Sequence, residues 1–382
     1  MPTPRKALEG SLDFAAPLYE TAHDRGSLLE ASDGLLSSAK LTARLLPFYA
    51  TGSVYGWLEA INSPLLRVLK LRQGDGTALF ELKEASRPTN RESQWQTGRF
   101  FLYEHPAYPG VSIFIALGSP WLFGRLRRLI DRSFPTAFTT FITHRRFQRL
   151  IETFQAQYGL SRVTITSASF RLRLRDEQAL SERREQISPF IGWPQMEVAT
   201  AFSWLAEQNG WFQSLAFNVF RDHFRLANIA FARNGILRTT GLLTQVFQGF
   251  VEPVCKTLHE NVTFFEGRSR RSRKHLEARP LVIDLGQDQL AESEERRRFV
   301  EVVRRFPRAS VSVLHGNPYV HLSIMDYYDG STFDVWVLSP GEVTIVPQLK
   351  GSVAAIKRVI NYIFDDYAEG HIRDYAAYPS SA

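Results

Sequence analysis

The sequence predicts an α+β fold made of antiparallel sheets with repeated hairpin-helix units, the helices packed on one face. Three observations lead to this prediction. Alternating polar and apolar runs flank turn-forming residues, an amphipathic stretch follows several of these hairpins, and the regular strand–helix alternation of a parallel sheet is missing. With 382 residues, 44% of them hydrophobic, the chain is long enough for two or three domains with cores of their own.

The first elements along the chain are a lead and a hairpin. We predict a loosely ordered lead over residues 1–35 and a helix over residues 36–50. Two alternating runs, 66–72 and 78–83, then flank the turn Gly74-Asp75-Gly76. Because Asp-Gly between such runs is one of the strongest short-range hairpin signals, these runs are predicted to be paired strands.

A unit of two strands and a helix is then predicted three times. The strand pairs are 99–103 with 111–117, 224–231 with 236–238, and 333–338 with 343–349. Each pair is followed by a residue suited to cap a helix, namely Ser119, Thr240 and Ser352. Further strands are predicted at 162–166, 170–175, 281–285, 311–314 and 319–325, and a further helix at 294–306.

Two polar stretches, 176–187 and 266–279, suggest domain boundaries. We therefore predict four segments, described here in chain order. They are the lead over 1–35, an N-terminal α+β domain over 36–175, a middle α+β segment over 176–280 that ends in a basic loop, and a C-terminal α+β domain over 281–382.

Several function classes are disfavoured by what the sequence lacks. It has no Walker-type phosphate loop, no His-Glu-x-x-His motif, no Gly-x-Ser-x-Gly motif and no dinucleotide-binding glycine motif. The single cysteine, Cys255, excludes an intrachain disulfide and a cysteine-based zinc cluster. No apolar run approaches the roughly 20 residues that span a bilayer. We therefore expect a cytoplasmic protein with no membrane association and no cofactor.

Positive charge is concentrated in two places. The net charge of +7 would be ordinary if it were spread over the whole chain. However, residues 268–274 contain five basic residues and no acidic one, and residues 121–149 contain seven arginines against Asp131 alone. Localised charge of this kind attracts polyanions.

We therefore expect this protein to bind nucleic acid or another polyanion through arginine-rich surfaces, as one component of a larger system. The planar guanidinium of arginine donates two parallel hydrogen bonds to phosphate, and such contacts position a nucleic acid without reading its sequence. An alternative is a non-catalytic interaction subunit whose basic loop docks on an acidic protein. The expected contact residues are Arg268, Arg270, Arg271, Arg273, Lys274, Arg125, Arg128, Arg145 and Arg146.

The hairpin within residues 331–351 supports a second hypothesis. A two-residue loop pairs Asp334 with Pro347 and turns Gln348 and Lys350 to the opposite face. A three-residue loop matches the apolar side chains better and brings Asp334, Gln348 and Lys350 together. This arrangement resembles the Gln-x-Lys variant of the PD-(D/E)xK restriction-type nucleases. The resemblance implies Mg²⁺-dependent cleavage, with Asp334 as metal ligand and Lys350 acting at the phosphate. A solvated hairpin explains the same residues without catalysis.

Two further residue pairs have both a catalytic and a structural interpretation. Glu81 and Lys83 form a Glu-x-Lys sequence on a predicted strand, but the preceding acid, Asp75, lies at the tip of a turn. Cys255 and His259 share a helix face, as a nucleophile and its base would. Because Cys255 borders an apolar stripe, a buried structural thiol is the favoured interpretation.

Overall fold

A computed structural model describes residues 16–39, 41–85, 95–172, 188–190, 196–207, 210–266, 268, 279–286, 289–316, 318–348 and 350–375. The chain forms two compact units. Unit 1 contains Met1–Ser133 and Ala137–His259, and unit 2 contains Phe134–Thr136 and Glu260–Ala382. The α+β class is confirmed, since both units combine antiparallel sheets with helices. No helix within the described ranges is both long enough and apolar enough to cross a membrane.

Unit 1 is built on one antiparallel sheet. Its strands are β1 (Ala43–Ala50), β2 (Leu66–Gln73), β3 (Thr77–Ala85), β4 (Trp95–Glu104), β5 (Val111–Leu117), β6 (Ala137–Thr139), β7 (Arg162–Leu172), β8 (Ser188–Phe190), β9 (Gly210–Arg221), β10 (Phe224–Ala232) and β11 (Leu237–Thr239). The strand order is β2-β3-β4-β5-β1-β11-β10-β9-β7-β8, and β6 also pairs with β1. The boundary predicted near residue 176 falls inside this unit, because β7 and β8 on either side of it are paired.

The helices of unit 1 follow the strands in short segments. They are α1 (Ala16–Thr21), α2 (Arg25–Ala39), α3 (Val54–Ala60), α4 (Pro120–Arg132), α5 (His144–Gln157), α6 (Val198–Glu207), α7 (Leu243–Val246), a π-helical turn at Phe247–Val251, and the start of α8 (Glu252–Glu266). Ser119 caps α4 as predicted, since its side chain accepts a hydrogen bond from the Leu122 N–H and Pro120 occupies the first turn.

The predictions for the first 50 residues need correction. The lead predicted over 1–35 is ordered from residue 16 onwards, because α1 and α2 lie within residues 16–39. Leu18 of α1 and Leu28 of α2 are buried. Residues 1–15 lie outside the described ranges. The helix predicted over 36–50 is wrong, because α2 ends at Ala39 and β1 occupies the centre of the sheet.

Pro47 lies within β1, a position that proline usually avoids in a central strand. The Ala50 N–H donates to Gly110 on the β5 side, so strand alternation turns the Pro47 nitrogen to the other side. On that side β11 pairs with residues 43–45 and β6 with residues 48–50. Proline therefore falls in the gap between two partners, where no hydrogen-bond donor is needed.

The pairing register divides the side chains of this sheet between two faces. Face A carries Arg44, Leu46 and Phe48 of β1, and face B carries Leu45, which is paired with Ile115 of β5. β5 is buried along its whole length, so it is covered on both faces. In this unit the helices consequently pack on both faces of the sheet.

α4 and α5 lie on opposite faces. On face A, Trp57 of α3 and Leu126 of α4 belong to one core with Phe114 of β5. On face B, Phe147 of α5 stacks on Phe231 of β10, with 4.6 Å between ring centroids. The basic stretch 121–149, continuous in sequence, is thus divided between the two sides of the sheet.

The cap of α7 comes from a distant residue. We predicted Thr240 as the cap, but its hydroxyl accepts instead from the Asn228 N–H at 3.0 Å. The Asp33 carboxylate of α2 accepts from the Leu243 N–H and, at 3.1 Å, from the Thr244 N–H. An acidic side chain at a helix N-terminus both satisfies free N–H groups and complements the helix dipole.

Unit 2 is a six-stranded antiparallel sheet within the described ranges. Its strands are β12 (Leu281–Asp284), β13 (Ala309–His315), β14 (Val320–Asp326), β15 (Thr332–Ser339), β16 (Glu342–Pro347) and β17 (His371–Asp374), in the order β13-β14-β15-β16-β12-β17. Its helices include α9 (Ser293–Arg304) and α10 (Val353–Asp366). Ser352 caps α10, and Ile356, Val359 and Ile360 are buried as predicted.

The β15–β16 hairpin combines the two registers that we considered. Ser339 pairs with Glu342, so the loop Pro340-Gly341 has two residues. A register shift between Trp336 and Ser339 then moves the pairing by one residue, and Val335 meets Ile345. The apolar match predicted from a three-residue loop is therefore achieved by a bulge in the strand.

Candidate polyanion interface

The basic loop predicted as a phosphate contact is described only at Arg268. This side chain is buried, and its guanidinium donates to the carbonyl oxygen of Phe264 at 2.9 Å, to that of Pro280 at 2.8 Å, and to Asp374. These contacts leave Arg268 with a structural role in unit 2, and we omit it from the candidate interface. The other predicted contacts in this loop lie outside the described residues: Arg270, Arg271, Arg273 and Lys274.

The four predicted arginines of unit 1 do not form one surface. Arg125 is half-buried on α4 and forms an ion pair with Glu84 of β3 at 2.7 Å, and Arg128 is exposed on the same helix. Arg145 is exposed and Arg146 half-buried on α5, which packs on the other face of the sheet. A single bound polyanion lying on one side of this sheet therefore cannot contact both pairs.

Half of face A carries no helix within the described parts of the chain. We call this region the open floor: the face-A side chains of β7 up to Ser169, of β9 from Ser214 onwards, of β10 and β11, and of the start of β1. Its centre is small and neutral, and its residues are half-buried or exposed apart from Thr164 and Ala216: Thr164, Ser167, Ala216, Asn218, Asn228 and Ala230. On face B of the same strands, Ile165, Phe217 and Ile229 are almost fully buried. The open floor is thus a polar sheet surface backed by a hydrophobic core.

Four arginines from four different strands lie on the open floor. Arg44 and Arg238 are paired across β1 and β11. Arg162 of β7 and Arg225 of β10 are both paired with Phe220 of β9. The described face-A side chains of these strands include no Asp or Glu, although Glu197, just before α6, is paired with Thr164 of β7. None of the four arginines makes an ion pair with a described residue.

The pair Arg44–Arg238 places two positive charges in direct opposition. Like charges at paired positions of an antiparallel sheet destabilise it. Arg44 Nη1 is shielded from solvent and has no hydrogen-bond acceptor among the described residues. Burial, and secondarily the charge of Arg238, lower the pKa of Arg44. Burial and the neighbouring positive charge both disfavour the charged form of the Arg44 guanidinium. Two positive charges without a described counterion therefore meet at this position.

Hydrogen bonds order the centre of the open floor. Asn228 Nδ2 donates to Asn218 Oδ1 at 3.1 Å and to Thr166 Oγ1 at 3.3 Å. At the far end, the Arg162 guanidinium lies 4.6 Å from the centre of the Phe220 ring. An arginine stacked on an aromatic ring is held in one orientation while its N–H groups stay available.

The hairpin of unit 2 brings together part of the predicted nuclease site. Gln348 Nε2 donates to Asp334 Oδ2 at 2.6 Å, and His321 Nε2 lies 3.7 Å from the same oxygen. No ion pair joins Lys350 to Asp334, and the Lys350 ammonium lies beside Gly330 instead. Asp334 and Gln348 therefore meet as predicted, while Lys350 is turned elsewhere.

A second carboxylate for that site is not available from Asp326. Asp326 is fully buried, and Arg358 donates to it from Nε at 2.8 Å. The described residues include no group of three or more His, Cys, Asp or Glu side chains that could hold a metal ion. The nuclease hypothesis thus retains Asp334 as one possible Mg²⁺ ligand, without a second one beside it in the described chain.

The two other catalytic pairs have structural contacts. Glu81 is bound by Lys83 at 2.8 Å and lies 3.5 Å from Arg99, its partner on β4. Cys255 is buried, and burial, followed by the charge of Glu252, raises the pKa of its thiol well above the usual value. A thiol held in its neutral form is a poor nucleophile.

Comparison with known proteins gives no family for this chain. No protein-family model matches it, and no curated protein is significantly similar to it. The open floor was also missed by the sequence predictions, because its arginines are far apart in the chain and only the sheet register brings them together. The one signal in the sequence was the alternation that predicts strands with one basic face at 162–166 and 170–175.

Proposed function

We propose that this protein binds nucleic acid or a similar polyanion on the open floor of unit 1. The observation that carries the proposal is the placement of Arg44, Arg162, Arg225 and Arg238 on one sheet face that no described helix covers. Phosphate contacts of this kind supply the salt-dependent part of nucleic-acid affinity.

The shape of the surface favours a single strand over a duplex. A flat sheet floor admits a flexible backbone, and single-strand binders combine a basic track with aromatic rings. Arg44 is half-buried, so a flexible strand can reach it more easily than a rigid duplex. Phe220 offers one ring, which is too little for sequence-specific reading, and we therefore propose binding without strong base preference.

The test is fluorescence anisotropy with labelled single-stranded DNA, RNA and duplex DNA, measured in EDTA at several salt concentrations. Single strands lose about 0.7 units of log affinity per log unit of salt for each phosphate contact. Four contacts therefore predict a slope of about −3 for the wild type, reduced by about 0.7 in Arg238→Gln.

Arg145→Gln is the matched control, because it removes the same charge from the opposite side of the sheet. We expect it to bind like the wild type. Equal losses in the two variants would show that only the net charge matters, and would contradict an interface on the open floor. Displacement of the nucleic acid by poly-L-glutamate at equal charge would instead favour an acidic protein partner.

A further inference from the structure

We propose that Arg44 and Arg238 together hold a terminal phosphate group, the dianion of a phosphate monoester. This inference rests on the proposed function, since it assigns one part of the open floor to the end of a bound strand. The two residues are direct partners across β1 and β11, and each lacks an ion pair within the described chain.

The first argument is energetic. An opposed pair of arginines costs free energy, and a buried donor without an acceptor costs more. Arg44 Nη1 is such a donor. One anion placed beside the two guanidinium groups removes the first cost by neutralising the charges, and a shift of the Arg44 side chain towards it gives Nη1 an acceptor. Charge repulsion and an unsatisfied buried donor at the same position are typical of binding sites.

The second argument is steric. Along the row of paired residues that crosses the sheet, Arg44 is followed by Ala116 on β5, and Arg238 is followed by Ala230 on β10. Beyond Ala230 the row continues with Ala216 and Ser167. Ala116 is fully buried in the core on one side of the pair, whereas Ala230 on the other side is half-buried and presents only a methyl group. This side leaves space at the level of the guanidinium groups for a compact ligand.

The third argument is charge matching. A phosphate monoester carries between −1.5 and −2 charges near pH 7, which balances two guanidinium groups, whereas a phosphodiester within a strand carries one. Arg44 is half-buried, so residual charge would be poorly screened there. The site therefore favours the phosphorylated end of a strand over its interior.

The test compares a labelled single strand with and without a 5′ or 3′ phosphate, on the full chain at constant ionic strength. Charge-assisted hydrogen bonds are worth enough to expect roughly tenfold tighter binding of a phosphorylated strand. Arg44→Gln and Arg238→Gln should abolish this preference, and Arg145→Gln should keep it. No preference in the wild type, or a preference retained in both floor variants, would overturn the inference.

A second measurement separates this site from the nucleic-acid function. Inorganic phosphate should raise the melting temperature of the wild type at constant ionic strength, and should do so no longer in Arg238→Gln. That variant should also melt no lower than the wild type without phosphate, because it removes a repulsive pair. A phosphate response without strand binding would leave the site intact and reject the proposed function. If strand binding is unchanged in Arg44→Gln and Arg238→Gln but lost when Arg162 and Arg225 are replaced, the proposed function is supported and the phosphate site is rejected.

Discussion

His144, the first residue of α5, illustrates how a single environment fixes a protonation state. Its ring lies 4.8 Å from that of Phe202, and its Nδ1 accepts a hydrogen bond from the Phe212 N–H at 3.3 Å. Burial, and then the charge of Arg233, lower its pKa to about 4. His144 lies beside two arginines in the sequence, yet its ring packs within a core and its lowered pKa favours the neutral form.

This depressed pKa predicts a pH-dependent stability. Because the unfolded histidine, with a pKa near 6.5, binds a proton before the folded one does, stability should fall as pH drops from about 6.5 to about 4. The loss should approach about 3 kcal/mol at the acidic end. Urea unfolding across this range checks it, with His144→Asn, whose amide oxygen can accept the Phe212 N–H, expected to show a shallower dependence.

Exposed His223 provides the control for this measurement. His223→Asn should leave the pH dependence of unfolding unchanged, since its side chain lies at the surface. If the wild type and His144→Asn show the same pH profile, His144 does not carry the effect.

At the scale of elements, two helical glycines have opposite surroundings. Gly249 lies in the π-helical turn, and a Cβ placed there would overlap the ring of Phe154. Gly124 lies within α4, and a Cβ there would meet nothing within 4 Å. The close approach explains why the π-helical turn needs glycine, whereas α4 does not.

These surroundings predict opposite effects for the same substitution. Gly249→Ala should destabilise unit 1 by about 1–3 kcal/mol, because Phe154 is fully buried and has little room to move. Gly124→Ala should stabilise it by up to about 1 kcal/mol, because alanine loses less backbone entropy in a helix. Chemical denaturation of the two variants against the wild type checks both signs. Destabilisation by Gly124→Ala would mean that α4 is not a regular helix at that point.

For the whole molecule, the relevant feature is that the chain divides into two compact units. Unit 2 contains one of the seven tryptophans, Trp336, and unit 1 contains the other six. Fluorescence can therefore follow each unit through its own tryptophans.

Helix α10 of unit 2 contains Lys357, which is buried and whose pKa is lowered to about 7 by that burial. A change at Lys357 should act on unit 2 alone. The folded state disfavours the charged lysine, so its cost to stability grows as pH falls from about 10.5 towards 7. Lys357→Met should raise the stability of unit 2 by about 1–4 kcal/mol at pH 7, and by less near pH 10. The fluorescence difference between the wild type and Trp336→Phe comes from Trp336, so this difference follows the unfolding of unit 2 in urea. An equal shift of the unit 1 signal would mean that both units unfold together.

The sequence by itself determined the local elements that depend on neighbouring residues. The hairpin around Gly74-Asp75-Gly76, the capped helix at Ser119 and the capped, one-sided helix after Ser352 all follow from turn chemistry and from hydrophobic period. The α+β class follows from them. Asp334 and Gln348 also met as predicted, because apolar matching on the other face of the hairpin constrains the register.

Only the tertiary structure decided the contacts between distant residues. Residues 43–50 were mistaken for part of a helix, and Pro47 is admitted to this central strand by a gap between two partner strands that the sequence does not show. The cap of α7 came from Asp33, more than 200 residues away. The open floor likewise gathers arginines from four strands, and neither spacing nor local charge density indicates that they share a face. Charge runs such as 121–149 are visible in a sequence, but a sheet can separate them, because the register and the packing of each helix determine which side a residue faces.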